Sequence, residues 1–116
     1  MATVFVFSNE WADRHGDEGS TIEVFGTAAQ ANDYLAKDIR SYLHENDLMD
    51  GDNLALDRIH SFDTHGLHWN YEDYEDDTVI TVDELVQAAI DGGWLEFNRD
   101  GEGTNSDWSV FEKKIL

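Results

Sequence analysis

Carboxylates dominate the side chains of this sequence that can do chemistry. Glu72, Asp73, Glu75, Asp76, Asp77, Asp83 and Glu84 place seven acids in 13 positions, and Glu45, Asp47, Asp50, Asp52 and Asp57 form a second cluster. Such groups can ligate a hard cation, work in pairs as acid and base, or present negative charge to a cationic partner. An EF-hand needs acids at loop positions 1, 3 and 5, Gly at 6 and Glu at 12. With Gly51 at position 6, Leu48 falls at 3 and Asp57 at 12, so the pattern fails. Asp100-Gly101-Glu102-Gly103 is equally short of ligands. His60, His65 and His68 lie near Asp57 and Asp63, a donor set suited to zinc or iron. Their spacing matches no established metal motif and reads more simply as loop histidines. Cysteine is absent, which removes a thiolate metal site, a disulfide framework and a cysteine nucleophile. There is no G-x-S-x-G motif and no phosphate-cradling glycine loop. A glycosidase-type acid pair would need a sugar cleft that so short a chain has little material to build. The expectation is therefore a protein that is not an enzyme and needs no cofactor.

Presentation of charge remains. The 116 residues carry 26 Asp+Glu against seven Lys+Arg, a net charge of −19. The imbalance is segmental. Residues 41–98 hold 15 acids and one base, Arg58, whereas residues 1–40 net −4 and residues 99–116 net −1. Folding brings these like charges together, a cost set against a reserve of only about 5–15 kcal/mol in a typical domain. Alternate residues on a strand lie about 6.6 Å apart and i, i+4 neighbours on a helix about 5–6 Å apart, close to the separation of successive phosphates on one strand. Carboxylates held on a folded surface can thus imitate a phosphate track, and Trp69, Tyr71 and Tyr74, interleaved with the acids, offer flat anchors. The charge argues against direct contact with nucleic acid or an anionic membrane. Halophilic adaptation is a competing explanation for acidity, but seven Asn, six Ile and a segmental charge do not fit it. Acidity that only keeps an interaction protein soluble is another.

These residues must be positioned by a fold. Aromatics at 12% and hydrophobics at 41% supply a core and exclude a disordered acidic tail. The length allows one domain, 1–116. No signal peptide or membrane span is visible. Thr3–Ser8 reads as a buried strand, residues 9–20 as a loop whose Trp11 folds back on the core, and Thr21–Phe25 as a second strand. Thr27 with Gln30 opens a helix over about 28–45, with Ala31, Leu35 and Ile39 at helical spacing. Asn46–Asn53 is a loop, Leu54–Phe62 either a strand or a helical turn, and Leu67–Tyr71 a weak strand. Thr81 with Glu84 forms a capping box before a short helix, about 82–91, ended by Gly92-Gly93. Trp94–Arg99 and Asp107–Lys114 pair across a glycine-bearing hairpin loop. The expected fold is α+β, a small antiparallel sheet of about four or five strands with two helices on one face, in the order ββα-(β)-αββ.

Size, net charge, the lack of cysteine and the acidic segment Asp63–Glu84 together resemble the phage-encoded DNA-mimic inhibitors, the anti-CRISPR and antirestriction proteins. That group shares a strategy rather than a motif, so it lends no residue-by-residue assignment. The resemblance implies a stoichiometric inhibitor acting in the bacterial cytoplasm. Its partner would be a protein with a basic nucleic-acid groove, such as a CRISPR effector complex, met by the 45–57 and 72–84 clusters.

Overall fold

The computed structural model describes residues 2–75 and 77–115. β1 (Ala2–Ala12) and β2 (Glu18–Phe25) form an antiparallel hairpin, followed by α1 (Ala28–Glu45). Two short strands, β3 (Met49–Asp50) and β4 (Asn53–Leu54), pair with each other as a small separate sheet. A 3-10 turn at Leu56–Arg58 leads to β5 (Ser61–Asp63) and β6 (His68–Asn70), and a second 3-10 turn spans Tyr71–Asp73. The chain closes with α2 (Val82–Gly92), β7 (Trp94–Asn98) and β8 (Asn105–Ile115). The main sheet is antiparallel throughout, in the order β2-β1-β8-β7-β5-β6.

The α+β class and the two helices agree with the sequence pattern, but the main sheet has six strands rather than four or five, with the β3–β4 pair in addition. The extra strands come from the acidic middle, where β5 and β6 have three residues each and cannot show a period. Leu54–Phe62 is both of its alternatives in succession: the end of β4, a 3-10 turn, then the start of β5. Residues 9–12 and 18–20 are strand rather than loop. Trp11 consequently stands on β1, partly exposed, with its indole laid over Gly19 of the facing strand. A Cβ at Gly19 would sit 2.6 Å from that ring, so the glycine is what lets the aromatic cover the strand.

The core lies between one sheet face and the two helices. Phe7, Trp108, Leu95, Phe97, Phe62 and Trp69 project from five strands onto that face. Leu35, Ile39 and Leu43 of α1 and Val82, Leu85 and Ala89 of α2 close over them. Thr27 accepts a hydrogen bond from the Gln30 amide at the start of α1. Thr81 and Glu84 cap each other's backbone at the start of α2. Gly93 ends α2 in the left-handed region, φ 81°, which carries the chain straight into β7. Trp108 donates its indole N–H to Asp38 at 2.8 Å and ties β8 to α1. No helix is long and apolar enough to cross a membrane, among the described residues.

Candidate functional site

The β3–β4 hairpin, within the first acid cluster, joins residues 80–82, within the second. The Leu54 amide donates to Ile80 O and the Val82 amide to Asp52 O, each at 2.9 Å, and Asn53 bridges Thr81. The β3–β4 hairpin is thereby stitched to the chain just ahead of α2. The reason is local: Leu54, Ile80 and Val82 are all core residues, so the two segments that carry them must run side by side. Their polar neighbours, Asp50, Asp52, Asp83 and Glu84, are left facing water.

Basic partners reach few of these acids. Arg40 pairs with Asp83 at 2.6 Å and Arg58 with Asp47 at 3.2 Å, both in the open. Glu84 is used by the helix cap, and Glu72 accepts a long bond from the Tyr71 hydroxyl. The carboxylates of Glu45, Asp50, Asp52, Asp57, Asp73, Glu75 and Asp77 are exposed and have no ion-pair or hydrogen-bond partner among the described residues. Asp76 lies outside the described residues. The expected aromatic anchors divide. Trp69 is a core residue, only 6% exposed, stacked on Phe62 with its buried indole N–H unpartnered among the described residues. Tyr71 and Tyr74 are exposed: Tyr71 lies against the His60 ring at 4.5 Å and Tyr74 edge-on to Trp69. Trp69 thus supports the surface from beneath rather than contacting a partner.

The histidines do not gather. His60 packs on Tyr71 and beside Gly101, the His65 Cβ would clash with a side chain at Gly92, and His68 stands opposite Asp63 on the other sheet face. No group of three or more His, Asp or Glu is arranged to hold a metal ion, among the described residues.

A further acidic feature escapes the sequence pattern altogether. Strand register sets Glu10 opposite Asp107, Asp107 opposite Glu96, Glu96 opposite Asp63, and Asp63 opposite His68. Four carboxylates therefore cross the open sheet face, the one without helices, in a single row. Directly opposed residues stand about 4.5–5.5 Å apart at Cβ, so each pair is repulsive. Partial burial raises the Asp107 carboxyl above the ordinary aspartate range, and the charges of Glu96 and Glu10 raise it further. A row of amides and hydroxyls, Asn105, Asn98, Ser61 and Asn70, flanks it. The surface there is a shallow concavity of about 580 Å³. Glu96 facing Asp107 was within reach of the sequence, since both belong to one expected hairpin. Glu10 and Asp63 join the row only through pairings between distant segments.

The exposed carboxylates of the two clusters can present negative charge to a cationic surface. No family model, curated protein or solved structure matches the chain.

Proposed function

We propose that this protein is a stoichiometric inhibitor that mimics DNA and occupies the basic nucleic-acid groove of a defence complex, in the manner of the anti-CRISPR and antirestriction proteins it resembles. One observation supports this above others: the β3–β4 hairpin of the 45–57 cluster is hydrogen-bonded to residues 80–82 of the 72–84 cluster, and seven carboxylates of the two clusters are exposed with no partner among the described residues. A groove lined by Lys and Arg would be attracted to it, and binding would release ions from both surfaces. Tyr71 and Tyr74, exposed beside the acids, add flat apolar contact.

The test is charge reversal at positions that make no contact with the core. Asp73→Lys, Glu75→Lys and Asp77→Lys combined should abolish capture of the target effector complex from a bacterial lysate. The far-UV spectrum should stay unchanged, and thermal stability should be equal or higher because repulsion falls. Binding of the unaltered protein should weaken roughly a hundredfold between about 50 and 200 mM salt if some four carboxylates replace phosphates. Capture that survives the triple reversal would overturn the assignment of this surface.

A further inference from the structure

The open sheet face carries a second feature beside its acid row. Val4, Val6, Ile22, Val24, Phe111 and Ile115 form an apolar patch where β2, β1 and β8 lie side by side. Ile22 is 65% exposed, Val24 58% and Phe111 48%. Ile22 and Val24 on β2 and Phe111 and Ile115 on β8 are exposed, with the half-buried Val4 and the buried Val6 of β1 between them; a contiguous patch of this kind marks an interaction surface. Lys113 and Lys114, two of the three lysines in the sequence, border it and form no ion pair among the described residues.

The order of residues along the strands decides what fits. On this face, successive cross-strand rows are Lys113 with Val4, then Phe111 with Val6 and Val24, then Ser109 with Ser8 and Ile22, then Asp107 with Glu10. On β1 and β8 the sequence of rows is cation, large apolar, serine, anion, the serine pair being flanked by Ile22 on β2 and Trp94 on β7. Turned end for end and laid on itself, such a face is its own complement. Lys113 then faces the carboxylate row, Phe111 and Val6 face the serines, and Val24 faces Ile22. We propose that the chain forms a two-fold symmetric dimer by packing the open face of β2, β1 and β8 on the same face of a second copy, with the two-fold axis crossing the strands between Ser109 and Phe111.

The charge distribution is compatible with this contact, because each copy brings Lys113 to the face that also carries the carboxylate row. Association of two bodies at −19 is costly unless the contact avoids the acid clusters. Asp50 and Asp52 lie in or beside the β3–β4 hairpin, Asp83 and Glu84 at the start of α2, and Glu72 and Asp73 in the turn after edge strand β6, none of them in β2, β1 or β8. In the proposed contact, by contrast, the exposed cation of each copy meets the repulsive row of the other, and residue i touches j while j touches i, as an isologous interface requires. Face-to-face sheets pack about 10 Å apart with strands nearly aligned, which leaves room for Phe111 over a serine row.

Sedimentation equilibrium tests the proposal. The full chain at up to about 100 μM should give a mass near twice 13.2 kDa. Val24→Asp, at an exposed site on an edge strand, should weaken the dimer by about tenfold or more and leave the circular dichroism unchanged. Lys113→Glu and Asp107→Lys should each weaken it, and the double swap should restore it, an outcome that a merely structural role for either residue would not give. A monomer across that range overturns the proposal. So does a dimer indifferent to Val24→Asp, or a double swap no tighter than its single variants.

Discussion

Asp100 and Asp107 belong to the same β7–β8 hairpin and are pushed in opposite directions. At Asp100 the burial penalty is the largest single influence, but the amides of Glu102 and Thr104, the Thr104 hydroxyl and the nearby Arg14 charge together outweigh it, so its carboxyl lies below the ordinary range. At Asp107 partial burial, then Glu96 and Glu10, hold it above that range. The consequences for stability differ in sign. Asp100 contributes stability that is present above the unfolded aspartate value and is lost as pH falls through its lowered one. Asp107 contributes stability that is full below the unfolded value and is lost as pH rises through its raised one. Replacing Asp107 by Asn in dilute protein should therefore raise stability at about pH 7, by a few tenths of a kcal/mol since the row is open to water. The same variant should gain less on acidification than the unaltered chain. Urea unfolding across that pH range checks both, and a loss of stability at neutral pH would show that the row is not repulsive.

The helices are the elements best specified by local sequence, and α2 most of all. Its start combines a reciprocal cap with Val82 and Leu85 turned into the core, and its end has the left-handed Gly93. Thr81→Ala should cost about 1 kcal/mol in urea unfolding, and Thr81→Ser should recover most of it. A cost near zero would mean the β4 backbone bonds alone hold that end. Both helices were legible because capping residues and an apolar stripe act within a few residues of each other. The outer hairpins β1–β2 and β7–β8 were legible for a similar reason, although β1 and β2 run further than their apolar cores suggest. The middle was not. β5 and β6 have too few residues for alternation to register, and the β5–β6 turn rests on Thr64, which is buried and bonded to both the amide and the carbonyl of Leu67. Leu67–Tyr71 did read as a strand, and β6 (His68–Asn70) lies within it, but the strand alone does not say which of its faces meets the core, so Trp69 was misplaced. The acid row was hidden more deeply, because register between distant strands is set by the whole sheet.

On the scale of the whole molecule, the sheet divides the protein into two functional sides. The helices and the β3–β4 hairpin cover one face and bring the acid clusters to its surface; the other face is open, with an apolar patch and a row of carboxylates. Two copies joined through the open face would turn their clustered acids outward in opposite directions, so self-association and capture of a basic groove do not compete for surface. The central claim is that the clustered acids take the place of DNA. It is tested most directly by giving the captured effector complex its labelled target duplex and measuring DNA bound as this protein is added. The account predicts that DNA is displaced at one protein chain per groove, that added salt weakens the displacement, and that the Asp73, Glu75 and Asp77 reversal does not displace. DNA and protein bound together to the same complex, undiminished at saturation, would contradict it.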